Sequence, residues 1–338
     1  HGLLRRQRQM CIRDRPWTPW LNMARILAND GIDEKSKSKL EKIGHTVNVE
    51  KINQEQLIDA GLQDFDCIIV RSATTLDGKI LEANTGGDSK LRLVIRAGVG
   101  LDNIDIKSAE SLGLTIRNTP NASTNAVVEL TIAHLISNSR SFIGANLDMR
   151  EGKWTKKNLV GTELSGKNLG LIGFGRIAKG VARIAQALGM KVHAYDPFVI
   201  DQQSNSSDVT FHDTIESLFS SCSHISVHCA MTSETKGMVN SGLVRRMPDI
   251  SPKGVQCGRH IVNCSRGGIV NEDDMLELLE SGFLTSLGID VFENEPYANP
   301  TLSAHRSVSS TPHIGAATIE AQERIGEEIV SIVSSFFN

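Results

Sequence analysis

From residue 23 onward the chain alternates short β-branched runs with stretches of helical periodicity. ARILAND (24–30) reads as a strand, followed by a helix through SKLEKIG ending at Gly44, a strand in HTVNVEK (45–51), and a second helix. DCIIVR, LRLVIRA (91–97) and LTIRN (114–118) supply three more strands. Apolar runs without polar alternation, separated by helical patterns, mark a parallel sheet covered on both faces. A long helical stretch from about 123 to 152 carries VVELTIAHLI, and a second series follows it: LGLIGF, KVHAYD, HISVHCA, RHIVNCS, TSLGIDV and SVSSTPH. The last helix, about 317 to 337, comes after the second sheet is complete and is expected to pack back onto the first. The pattern thus predicts an α/β protein of two doubly wound, Rossmann-like lobes with parallel sheets. The first lobe is discontinuous (23–119 plus 314–338), the second spans 120–313, and the cleft between them is the default ligand site.

Composition narrows the class without changing that picture. A chain of 338 residues, 40% hydrophobic, accommodates two domains with full cores. Its formal charge of −3 argues against nucleic acid as a main partner. No apolar run approaches the roughly 18 residues that span a bilayer. Six cysteines, at 11, 67, 222, 229, 257 and 264, form no C-x-x-C pair, which points to reduced thiols in the cytoplasm and to no metal centre. The first 22 residues stand apart. They hold five arginines against one acid and neither Ala nor Ser, and without them the formal charge falls from −3 to −7. They are read as a non-native or disordered extension before Met23, with a targeting segment as the alternative.

The most specific motif opens the second series: Gly170-Leu-Ile-Gly173-Phe-Gly175-Arg176-Ile177-Ala178, between an apolar strand and a helical pattern. Gly173 suits the tight turn, Gly175 allows close backbone approach to a pyrophosphate, and small Ala178 lets helix and strand pack. The anion then meets a helix N-terminus, whose free N–H groups and dipole favour it. Asp196 lies 21 positions beyond Gly175, close to the ~20 expected for a carboxylate on the adenosine ribose hydroxyls. That carboxylate would repel a 2′-phosphate, so NAD is expected rather than NADP.

Three further segments end second-lobe strands: NCSRGG with Arg266, DVFENEP with Glu293 and Glu295, and TPHIG with His313. Taken singly, His313 is an ordinary loop histidine and Glu295 a solvated acid. Together they make the set that oxidation of a 2-hydroxy acid needs: an arginine fork for the carboxylate, a histidine to take the hydroxyl proton, and an acid to stabilise imidazolium.

Over residues 23 to 338 the sequence resembles the D-isomer-specific 2-hydroxyacid dehydrogenases. The likeness rests on IIVRSAT (68–74), IRAGVGLDNIDI (95–106), RNTPNA (117–122), EGKW (151–154), GTELSGKNLGLIGFGRIA (161–178), NCSRGGIV, DVFENEP, TPHIGA and EAQERIGEEI. It implies that Arg266 binds the substrate carboxylate, that Glu295 partners the general acid/base His313, and that Glu293 is a decoy. It implies dinucleotide contacts from Arg176, Ile177, Asp196, Thr235, Cys264, Asp290 and Gly315 beside the glycines, Cys264 contributing only backbone or packing. RSAT, RAGVGLDNID and GTELSGK are similar to the branch that oxidises 3-phospho-D-glycerate to 3-phosphohydroxypyruvate at the start of serine synthesis. On that branch Arg71 and Arg96 meet the phosphate, with Gly98 and Val99 beside the substrate. Lys156 and Lys157 could add charge across a homodimer or higher homo-oligomer, since members of the family exchange the long helical arm.

Other D-2-hydroxy acids (glyoxylate/glycerate, D-lactate, 2-hydroxyglutarate) and an NAD-sensing corepressor-like role are the alternatives. Ala230 where relatives have proline, the longer connection at 248–260, and Ala122-Ser123 are departures from the pattern. The chain stops before the C-terminal regulatory domains of long members, which fits either a short form or a truncated one.

Overall fold

The apolar runs form parallel strands, and between them most helices begin where an Asx or Thr side chain caps the first turn. The structure is a computed structural model that describes residues 23–199 and 208–337. The reading of residues 1–22 lies outside the described residues.

The first lobe runs β1 (Arg25–Ala28), α1 (Glu34–Lys42), β2 (Thr46–Asn48), α2 (Gln54–Ile58), β3 (Cys67–Val70), α3 (Gly78–Ala83), β4 (Leu93–Arg96), α4 (Ile106–Ser111) and β5 (Thr115–Asn118). Its sheet has the order β2-β1-β3-β4-β5, all parallel. Asp33, Asn53, Asp77 and Asp105 each accept an N–H from the third residue onward, which fixes the starts of α1 to α4. The second helix expected after HTVNVEK is α2, only five residues long, whereas α3 and α4, six residues each, are too short for periodicity to reveal.

The second lobe begins with α5 (Thr124–Ser139) and α6 (Phe142–Arg150), followed by a 3-10 turn at Lys156–Asn158. The single helix expected over 123–152 is therefore two, broken where Ser141 adopts φ 47°. Then come β6 (Asn168–Ile172), α7 (Arg176–Ala187), β7 (Lys191–Tyr195), β8 (Val209–Phe211), α8 (Ile215–Ser221), β9 (His224–Val227), α9 (Ser241–Val244), β10 (His260–Asn263), α10 (Glu272–Glu280), β11 (Ser286–Ile289), α11 (Pro300–Ala304) and β12 (Val308–Ser310). The sheet order is β12-β11-β10-β9-β6-β7-β8, with the reversal at β6, as in dinucleotide-binding sheets. β8 was not expected: it is a three-residue strand, VTF, paired among the described residues with β7 alone.

The closing helix α12 (Ile319–Phe337) returns to the first lobe, as the order of elements required. It buries Ile325, Ile329, Val333 and Phe337 among Ala24, Ile26, Ala28 and Leu40, and Lys39 pairs with Glu327 at 3.5 Å. The long connection at 248–260 forms a small turn closed by an Ile250–Gln256 bridge, ahead of β10 and away from the strand ends that carry the cleft. Among the described residues no helix is long and apolar enough to cross a membrane.

Candidate active site

Both sheets direct their C-terminal strand ends into one cleft, which includes a cavity of about 390 Å³. On the β6 side Gly173 takes φ 85°, and a Cβ there would lie 3.0 Å from Cys229 N and 3.1 Å from His228 O, so only glycine fits the turn. Gly175 caps α7, its N-cap makes no side-chain bond, and the space beside its Cα is open. Asp196, just past β7, accepts from Phe174 N–H (2.8 Å) and Phe198 N–H (2.9 Å), which anchors its carboxylate against the glycine loop. A tight turn, an uncovered helix N-terminus and a fixed carboxylate beside it are the fit that NAD requires. Ile177 and Gly315 line the cleft. Arg176 instead extends to Pro120 O at 3.0 Å, tying α7 to the segment ahead of α5.

The strand ends of β10 to β12 carry the second group of expected residues. Arg266 leaves an Asx turn in which Asn263 accepts from Ser265 and donates to Arg266 O. Its Nε donates to Asp102 of the first lobe (2.6 Å) and its Nη1 to Ser265 O (2.6 Å). Glu295 and His313 meet at 2.6 Å, Oε2 to Nδ1, while Glu295 Oε1 accepts from Phe292 N–H. Burial works against the Glu295 carboxylate, but the His313 and Phe292 hydrogen bonds and the nearby Arg266 charge outweigh it, holding its pKa below the ordinary value. With Nδ1 on Glu295, His313 presents Nε2 as its free ring nitrogen. Glu293 does not touch His313; its N–H binds Glu272.

Asp290 was expected at the dinucleotide, and it borders the cavity, but its carboxylate is engaged elsewhere. It accepts from Thr311 Oγ1 (2.6 Å), Ile314 N–H (2.8 Å) and Gly315 N–H (2.8 Å), and its own carbonyl takes His313 N–H. The loop bearing His313 is thus wrapped around Asp290, and His313 sits at φ 53°, unusual for a side chain with a Cβ. Cys264 lines the cavity, but burial pushes its thiol up to about 12, which leaves an inert packing group. Thr235 is not brought to the cavity wall: its hydroxyl donates to Ala230 O (2.7 Å) and accepts Thr232 N–H, closing its own turn.

The opposite wall is built from β3 and β4. Arg96, at the end of β4, donates from Nη1 to Ala97 O at 3.3 Å, and its buried Nε has no partner among the described residues. Burial, the charge of Arg266 and that of Arg71 lower its pKa to about 10. Arg71 has its Nε buried without a partner as well, and burial lowers its pKa. Its guanidinium is not at the cavity surface; its loop is clamped by Asp30, which accepts from Arg71 N–H and Thr74 N–H, and by Asn103, which donates to Arg71 O and Thr74 O. Gly98, at φ 150°, lies under Arg96, where a Cβ would fall on the guanidinium. Val99 lines the cavity and its carbonyl takes a bond from Asn118. Lys156 and Lys157 are exposed in the 3-10 turn and do not line the cleft. Asp102 and Asn103, within the GVGLDNID motif, had been given no role; no local signal shows that Asp102 reaches an arginine 164 positions away.

Residues 132–315 match the family model described as "D-isomer specific 2-hydroxyacid dehydrogenase, NAD binding domain". The D-3-phosphoglycerate dehydrogenase of Rattus norvegicus is 38% identical over 309 residues, 91% of this chain and 55% of its own. The chain therefore spans about half the length of such curated relatives. The hydroxypyruvate reductase of Thermotoga maritima is 38% identical over 313 residues, 90% of this chain and 96% of its own. The structure of NAD+-bound 3-phosphoglycerate dehydrogenase from Entamoeba histolytica superposes with a TM-score of 0.73 at 29% identity, covering 93% of this chain and 95% of that one. The glycine loop, its helix and Asp196 thus belong to an NAD-binding lobe. With sequence, sheet order and cofactor lobe in agreement, the chain belongs to the D-isomer specific 2-hydroxyacid dehydrogenase family.

Proposed function

We propose that the protein oxidises 3-phospho-D-glycerate to 3-phosphohydroxypyruvate with NAD, the opening step of serine synthesis. On this reading Arg266 holds the substrate carboxylate. His313 Nε2 takes the hydroxyl proton, and Glu295 stabilises the imidazolium through Nδ1. Bound nicotinamide supplies the hydride acceptor. Arg96, with Arg71 behind it, receives the phosphate, and Gly98 and Val99 shape that end. Residues 23–119 plus 314–338 form the substrate domain and 120–313 the NAD domain, in a cytoplasmic homodimer or higher homo-oligomer.

The observation that carries the substrate assignment is the buried Nε of Arg96, without a partner among the described residues, in the cleft beside Arg266, with the equally unpartnered Nε of Arg71 behind the cavity surface. Buried guanidinium donors are satisfied best by a strongly charged anion. The full-length likeness to a hydroxypyruvate reductase favours a second reading, the same chemistry on an unphosphorylated acid. NADH absorbance separates them. The full chain is given 3-phospho-D-glycerate, D-glycerate, D-lactate and 2-hydroxyglutarate, and with NADH the corresponding keto acids. The phosphorylated acid is expected to show the highest kcat/KM; preference for glycerate and hydroxypyruvate would transfer the assignment, and NAD binding without any turnover would overturn it.

A further inference from the structure

We propose that His134, a buried histidine on α5 that the reaction does not use directly, is a positioning residue for His313, acting through Thr311. The proposal rests on the reading of His313 as the proton-moving group. Its basis is a chain of hydrogen bonds in which every direction is forced. The Asp290 carboxylate can only accept, so Thr311 Oγ1 donates to Oδ1 at 2.6 Å. That spends the hydroxyl's one hydrogen, and Thr311 must accept from His134 Nε2 at 3.2 Å. A neutral imidazole has one N–H, so Nδ1 is bare and accepts from Ser309 Oγ at 2.9 Å. Burial keeps His134 in this neutral form: it is 3% exposed, and desolvation lowers its pKa.

The loop needs such a restraint. His313 holds a left-handed backbone conformation that a residue with a Cβ adopts at a cost, and the bonds that keep it there converge on Asp290 from Thr311, Ile314 and Gly315. Of these three donor groups, among the described residues, only the Thr311 hydroxyl makes a further side-chain hydrogen bond outside the loop, and its partner there is His134. The helix is seated for this role: Gly288 of β11 lies beneath His134, and a Cβ there would come within 2.8 Å of the histidine Cβ. His134 thus fixes the Thr311 hydroxyl on Asp290, and Asp290 fixes the backbone on either side of His313.

The test compares His134→Leu and Thr311→Val with the conservative His134→Gln and Thr311→Ser, which keep a donor or a hydroxyl at the same place. For Leu and Val, kcat is expected to fall about tenfold to a hundredfold, the cost of misplacing a reacting group by a fraction of an ångström, with KM and NAD affinity within about twofold. Gln and Ser should recover most of the rate. Amide exchange at Ile314 and Gly315 should speed up in Leu and Val, and the ¹⁵N spectrum of labelled histidine, with His134 assigned by its absence from His134→Gln, should show the Nε2–H tautomer. Wild-type rates with a protected loop in both Leu and Val, or an Nδ1–H tautomer, would overturn the proposal. If the wild-type protein turns over no hydroxy acid, the proposed function falls, while exchange and tautomer still decide whether the relay exists.

Discussion

The two walls of the cleft are built on opposite principles. On the wall from β10 to β12 the polar groups are matched: Asp290 carries three donors on its carboxylate, Glu295 carries His313 and Phe292 N–H, and Asn263 closes the turn before Arg266. On the wall from β3 and β4, Arg71 and Arg96 each bury an Nε with no partner among the described residues, and Arg96 is disfavoured by its own burial and by the charges of Arg266 and Arg71. A wall that moves a proton must hold its atoms before the substrate arrives, because reorganisation during the reaction raises the barrier. A wall that captures an anion can leave donors unmet and recover the cost on binding, at the expense of the stability of the free protein.

The largest effect should come from the matched wall. Replacing His313 with Ala removes the proposed proton acceptor and should lower kcat by about 10² to 10⁴, the usual contribution of a positioned general base. NAD affinity, followed by fluorescence titration, should stay within about twofold, because the glycine loop and Asp196 lie on other strand ends. Unchanged turnover would remove His313 from the mechanism.

The unmatched wall should respond in a different way. Arg96→Met replaces a desolvated guanidinium with an apolar chain of similar length. KM for the phosphorylated acid should rise about tenfold to a hundredfold, as expected for one lost charge-assisted contact, while KM for an unphosphorylated acid changes little. The thermal midpoint should hold or rise, since a repelled, half-satisfied charge is taken out of the interior. A fall in the midpoint with no change in KM would mean that Arg96 serves the fold and that the contrast between the walls is false.

How much of this could be read in the sequence depended on whether a function constrains residue type locally. Gly173, Gly175 and Asp196 stand out in the sequence because a glycine turn opening a helix and a strand-end carboxylate recur at a fixed spacing, and the structure sets Asp196 against that turn. Arg266, Glu295 and His313 were legible as strand-end residues, and the structure brings them to one cleft. Asp102 was not, because its partner Arg266 is remote in sequence and belongs to the other lobe. Asp290 is legible as a residue at the cleft, which it borders, but nothing in DVFENEP shows that its carboxylate also gathers the loop of His313. His134 has no role in the sequence reading, since its meaning depends on Ser309 and Thr311, 175 and 177 positions away. The break at Ser141 ends a Ser137-Asn138-Ser139-Arg140-Ser141 run whose loop signal is masked by the helical periodicity on either side, and β8 is too short for alternation to register.

The smallest effect concerns acid, and it sets the lobes rather than the walls against each other. Burial pushes His260 and His228 down to about 4, lowers His193 to a similar value, and lowers His224 and His134, all in the second lobe. In the first lobe, among the described residues, only His45 is shifted this way. Each of these groups is harder to protonate when folded; for His260, His228 and His193, between an unfolded value near 6.5 and a folded value near 4, the unfolded chain binds more protons. For His228 and His260 that stability is fully present above about pH 6.5 and is lost as pH falls toward 4, by up to about 1.4 kcal/mol per group per pH unit. His224 and His260 pair across β9 and β10 with their rings stacked at 4.5 Å, so protonating either one disrupts the middle of the second sheet. Hydrogen exchange followed by mass spectrometry at pH 7.5 and pH 5 should show β9 and β10 losing protection before β1 and β3. Equal loss in both sheets would place the acid-sensitive groups among the carboxylates common to both lobes.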